Sequence, residues 1–201
     1  MRALRQCAVA LVLIGVCPGA VSAQWAVAPF AGIAAGTRIG FPDLDGAAGL
    51  KKPLAGVSVI WREPAAWGAD VDLVWVPSFL AGNIQPALVT HSRVVVVTLN
   101  GRWAPARLSI GRLRPYLTGG AGAARVDIAD VLDVVPVSRT RPAFAGGGGA
   151  ILELGARWGA RFDVRYVQTV GDSTEETGAS DYVKFWRVTG GFIWRFAGRR
   201  P

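Results

Sequence analysis

Residues 157–166 read RWGARFDVRY, and the two parities of this stretch differ in kind. Trp158, Ala160, Phe162, Val164 and Tyr166 fall on one parity, while Arg157, Gly159, Arg161, Asp163 and Arg165 fall on the other. Successive side chains of a β-strand point to opposite faces, so the segment reads as a strand with one apolar and one ionic face. A fully buried parallel strand would be apolar on both parities, so this pattern points to an antiparallel sheet with two unlike sides.

The same alternation recurs elsewhere. Trp186, Val188, Gly190, Phe192, Trp194 and Phe196 alternate with Arg187, Thr189 and Arg195; Asp70 and Asp72 alternate with Val71, Leu73 and Trp75; Glu153 stands between Leu152 and Leu154. Eight strand-like segments result, at about 25–38, 53–62, 66–77, 91–103, 114–128, 142–156, 157–169 and 184–196. Their connections alternate in length. Residues 39–52, 78–90, 129–141 and 170–183 are long, those around 63–65 and 157–159 are tight, and 104–113 is intermediate. Long loops at one end and short turns at the other predict an all-β, eight-stranded antiparallel up-and-down transmembrane β-barrel over residues 24–201.

Tryptophan tests that topology independently. Six of the eight, Trp25, Trp61, Trp67, Trp103, Trp158 and Trp194, fall at strand ends on the short-turn side and on the apolar parity, as an aromatic girdle at a membrane interface would. Phe41, Phe79, Tyr166, Tyr182, Phe185 and Trp186 lie toward the long-loop side and suggest a second belt. A soluble sandwich would hide its apolar parity in a core and has no reason to collect Trp at one end.

Composition agrees with that reading. The chain of 201 residues is 51% hydrophobic and 18% charged, with a formal charge of +8, which excludes an extended disordered chain and a nucleic-acid-binding tail. At the N-terminus, Arg2 and Arg5 precede an apolar run from Cys7 to Val16, and Val21, Ser22 and Ala23 offer a small-residue cleavage site. Residues 1–23 therefore read as a signal peptide for export. Cleavage there removes both Cys, so the mature chain relies on packing or a membrane and not on disulfides.

The chain resembles the small porin-like outer-membrane β-barrel proteins of the OmpA-like transmembrane-domain type. The resemblance is carried by RPYLTGGAGAAR at 114–125, GGGGAILELGARWGARFDVRY at 146–166 and GGFIWRF at 190–196. It implies residence in the outer membrane of a Gram-negative-type envelope, with outer-membrane lipid and the outer-membrane assembly machinery as partners. Such barrels usually end in an aromatic residue read by that machinery, whereas here Phe196 is followed by AGRRP.

Sites of chemistry are scarce. One His and no mature Cys argue against a metal centre, and Asp172, Glu175, Glu176 and Asp181 read as a solvated loop. Gly120, Gly122 and Gly146–Gly149 lack the strand-turn-helix setting of a nucleotide fingerprint; glycine inside a curved strand explains them. His91 and Ser92 suggest nucleophilic chemistry of the lipid-modifying kind, but adjacent strand residues face opposite ways, so no catalytic residue and no cofactor is assigned.

The ionic parity remains. An Arg facing lipid at the midplane costs about 2 to 4 kcal/mol, so these charges are expected to face inward. An eight-stranded barrel is nearly filled by its own side chains. Asp70, Asp72, Arg102, Arg125, Asp127, Glu153, Arg157, Arg161, Asp163, Arg165, Arg187 and Arg195 are therefore expected to form a charge network that plugs the lumen. Three functions follow as expectations, a structural or surface-interacting barrel, a narrow small-solute channel favouring anions, or a lipid-modifying enzyme, and a soluble ligand-binding barrel is a fourth that predicts solubility without detergent.

Overall fold

A computed structural model describes residues 24–39, 51–62, 66–77, 89–130, 137–170 and 183–196. Among the described residues eight strands run in chain order: β1 Gln24–Ile39, β2 Lys52–Arg62, β3 Trp67–Pro77, β4 Val89–Trp103, β5 Leu113–Asp130, β6 Val137–Glu153, β7 Trp158–Thr169 and β8 Val183–Arg195. Each pairs antiparallel with its neighbours, and β1 pairs with β8 to close the barrel. Closure leaves no open sheet edge, the condition for a sheet to stand in hydrocarbon.

The registers are staggered. Starting at Ala26, the row of paired residues runs through Ile60, Asp70, Asn100, Gly120, Ala145, Val167 and Phe185, and returns to β1 beside the irregularity between Ala35 and Arg38. A row that begins near one end of β1 and returns near its other end requires tilted strands, as barrel geometry demands. At that irregularity Gly36 has φ +62°, a left-handed conformation that suits glycine.

Parity follows the 157–166 reading. Along β7 the residues Arg161, Asp163, Arg165 and Val167 are buried, whereas Trp158, Phe162 and Val164 are exposed on the outer face. Below the charged side chains Arg93, Arg125 and Asp127 toward the long-loop end, the outer face is apolar on every wall, with Ile33, Val59, Leu73, Leu99, Leu117, Phe144 and Val188 among its exposed side chains.

Three expectations are corrected. The tight turn after β6 occupies residues 154–157, because Leu154 and Gly155 both donate their amides to the Trp158 carbonyl and Trp158 already begins β7. The 129–141 connection is shorter than expected, since the β5–β6 ladder continues to Ile128↔Val137 and leaves residues 131–136 between the strands. Phe185 belongs to the interior and not to a second belt: it is 1% exposed and packs with Val76, Val94 and Val167. Residues 1–23, Phe41, Phe79, Tyr182 and the acidic group at 172–181 lie outside the described residues.

Candidate lumen charge network

The interior is layered. Toward the long-loop end it is apolar, built from Phe30, Leu54, Val74, Val76, Val94 and Val96 with their neighbours. Toward the short-turn end a second apolar group contains Ala28, Ile60, Tyr116, Ile151 and Ile193. Between them lies a cluster of seven of the eight buried charges among the described residues, contributed by four strands: Asp70 and Asp72 on β3, Arg102 on β4, Arg161, Asp163 and Arg165 on β7, and Arg187 on β8; the eighth, Lys52, is buried at the long-loop end of β2.

Arg165 is its hub. Its Nε donates to Asp163 Oδ1 at 2.7 Å, and its Nη1 lies 3.0 Å from Asp72 Oδ2 and 3.5 Å from Asp70 Oδ1. Since β3 and β7 are not neighbours in the sheet, these contacts cross the lumen. Asp72 is also paired with Arg187 and accepts a hydrogen bond from Ser58 Oγ at 2.5 Å. Asp70 pairs with Arg102 at 2.6 Å and accepts from Asn100 Nδ2 at 2.8 Å. Arg161 donates to Asp163 at 2.8 Å and reaches Ser58 Oγ on β2 at 2.8 Å. Tyr116 ties in β5, donating its hydroxyl proton to Asp163 and accepting from Arg161 Nε at 2.7 Å, while the Arg102 guanidinium lies 4.4 Å from its ring centre.

Every carboxylate therefore has at least two partners, the condition under which buried charge is tolerated. Four guanidiniums against three carboxylates leave the cluster one positive charge in excess. The non-ionic members, Ser58, Thr98, Asn100 and Tyr116, did not stand out as site residues in the sequence. A signal existed for three of them: Ser58 and Thr98 both pair in register with Asp72, and Asn100 pairs with Asp70, so they share the parity of known charges.

The remaining predicted charges separate into three groups. Glu153 and Arg195 face inward at the short-turn rim, half-buried, where Glu153 meets Arg195 at 3.4 Å and Arg114 at 3.1 Å. Arg157 is not in the lumen; it sits exposed in the turn between β6 and β7. Arg125 and Asp127 are not in the lumen either. On β5 the inward parity is that of Tyr116, Thr118 and Ala124, which turns Arg125 and Asp127 outward toward the long-loop end. His91 and Ser92 pair with Ala129 and Ile128 on β5, and their side chains lie outside the described ones.

The girdle is more regular than its sequence spacing suggested. Trp25↔Trp61, Trp67↔Trp103 and Trp158↔Trp194 are direct cross-strand partners at the short-turn rim. The Trp67 and Trp103 rings lie 6.4 Å apart, and Trp158 stacks on Trp194 at 5.0 Å. At the other end Tyr166 and Trp186 form an outward pair at 5.2 Å.

Inward glycines make room for the larger side chains. A Cβ on Gly149 would collide with the Phe162 carbonyl oxygen and stand 2.7 Å from the Tyr116 hydroxyl, so the tyrosine that holds Asp163 depends on a bare backbone opposite it. The Gly146–Gly149 run thus lies within β6 and no helix follows it, unlike a phosphate-binding loop.

A closed antiparallel barrel with an apolar outer face, Trp pairs along one rim and ion pairs inside is a transmembrane β-barrel of the outer-membrane type. Solved structures share that fold. Neisserial surface protein A superposes with a TM-score of 0.65 over 89% of this chain and 99% of its own, at 13% identity. A major outer membrane protein from Thermus thermophilus gives 0.57 over 87% and 99% at 14% identity, and E. coli outer membrane protein W gives 0.50 over 89% and 100% at 13%. No protein-family model and no curated protein matches the chain.

Proposed function

We propose that this chain is an integral outer-membrane barrel, exported through cleavage of residues 1–23, whose lumen is plugged by its own side chains. Its role is then structural or surface-interacting, exercised through the long connections at one rim, and no enzymatic step is part of it. The observation that carries this reading is Arg165, fully buried and in contact with Asp163 on its own strand and with Asp70 and Asp72 on the far wall. The apolar layers above and below support it, because a hydrated path would have to cross both. The outer face, rimmed by Trp, supports lipid as its surroundings; entry into the membrane through the outer-membrane assembly machinery belongs to the same reading.

A second reading, a narrow path favouring anions, has one observation behind it: the single positive charge in excess within the cluster. Planar-bilayer recording of the purified protein separates the two. A plugged barrel leaves the bilayer at baseline, whereas stable channels with anion selectivity would replace the structural reading by the channel.

A further inference from the structure

Arg93, Arg125 and Asp127 form an ion-pair ladder on the outside of the barrel. Arg93 and Asp127 are direct cross-strand partners on β4 and β5, with Arg93 Nε 3.0 Å from Asp127 Oδ2; Arg125 Nε reaches Oδ1 of the same carboxylate at 3.0 Å. One carboxylate thus holds the Nε edge of two guanidiniums. Both arginines stay open to the outside, with side chains 64% and 54% exposed.

Their depth follows from the strand. Arg93 and Trp103 share the outward parity of β4 and lie ten residues apart. A tilted strand crosses the hydrocarbon in about 9 to 11 residues. With Trp103 in the girdle at one interface, Arg93 stands at the other, at headgroup level. The surface between them is apolar: Val97 and Leu99 on β4, and Leu73 and Trp75 on β3, are all exposed. The penalty for an outward Arg is large at the midplane and falls toward zero at the interfaces, which explains why these cations are tolerated here.

We propose that Arg93 and Arg125, held apart by Asp127, dock the phosphate of an anionic lipid headgroup in the leaflet on the long-loop side. A guanidinium presents paired donors that match phosphate bidentately, and Asp127 fixes the orientation of both forks while leaving the trio one positive charge in excess. The apolar surface below is where the acyl chains of that same lipid lie. A free phosphate gains nothing from that surface, which is why a lipid is the occupant. The inference rests on the membrane orientation of the outer face and is independent of whether the lumen conducts.

The test is native mass spectrometry of the detergent-purified protein titrated with short-chain phosphatidic acid, phosphatidylcholine or inorganic phosphate. Phosphatidic acid should be retained at least tenfold more tightly than phosphatidylcholine, and millimolar inorganic phosphate should not displace it. The variant Arg93→Gln/Arg125→Gln should remove that preference, and Arg93→Lys/Arg125→Lys should keep part of it. Equal retention of the two lipids by the wild type, displacement by inorganic phosphate, or an unchanged preference in the Gln variant would overturn the proposal. Should the Gln variant not fold, a headgroup-photoactivatable phosphatidic acid on the wild type decides: labelling on β4 or β5 beside Arg93 and Arg125 supports the site, and labelling confined to other strands sinks it.

Discussion

Arg165 and Asp72 meet at 3.0 Å although they stand on β7 and β3, strands with no hydrogen bond between them. The contact joins opposite walls, so the barrel is braced across its lumen as well as around its circumference. Arg161 on β7 and Ser58 on β2, at 2.8 Å, supply a second brace.

Asp163 accepts from Arg161, Arg165 and Tyr116. Asp163→Ala leaves two buried guanidiniums short of a partner and should cost about 3 to 5 kcal/mol, the range for breaking a buried ion pair. Urea titration of folding in detergent reads the loss. The same variant should raise any residual anion conductance in a planar bilayer, because negative charge leaves the plug.

Tyr116→Phe keeps the ring beneath Arg102 but deletes the hydroxyl that donates to Asp163 and accepts from Arg161. The expected cost is about 1 to 3 kcal/mol, that of leaving buried polar partners unsatisfied. An unchanged urea midpoint would show that water replaces the hydroxyl and that the middle layer is wet.

Val164 is an exposed outer residue midway along β7, and Gln168 shares its face near the long-loop end. Val164→Arg should impair insertion by about 2 to 4 kcal/mol and Gln168→Arg by about 0 to 1. Refolding into lipid vesicles measures both, and equal effects at the two positions would contradict the membrane orientation of this face.

Gly149→Ala forces a methyl group into the Phe162 carbonyl and against Tyr116, whereas a Cβ on Gly146, three residues earlier on the opposite face, meets nothing within 4 Å. Gly149→Ala should destabilise by about 1 to 3 kcal/mol through overpacking, and Gly146→Ala should stay within about 0.5 kcal/mol. The unheated and heated mobilities of each variant on a gel report whether the barrel has closed.

Legibility in the sequence varied along the chain for identifiable reasons. On β7 and β8 the parities differ sharply, Phe162 and Val164 against Asp163 and Arg165, and both faces could be assigned. On β5 the stretch from Gly119 to Ala124 is glycine and alanine on both parities, so nothing in it told which way Arg125 and Asp127 point. The apolar layer at the long-loop end was hidden in the same way. Val94–Val97 is one residue type throughout, yet Val94 and Val96 are buried inside while Val97 is exposed outside.

The sequence by itself determined the strands, their antiparallel order, the apolar outward face of β7 and β8 and the rim that carries the tryptophans, because each is set by period-two chemistry along a single strand or by the spacing of turns. Only the tertiary structure decided which charges meet. Arg165 finds Asp72, and Arg93 finds Asp127 on the outside, through the stagger at which eight strands close. That stagger is a property of the whole ring, and no strand carries it alone.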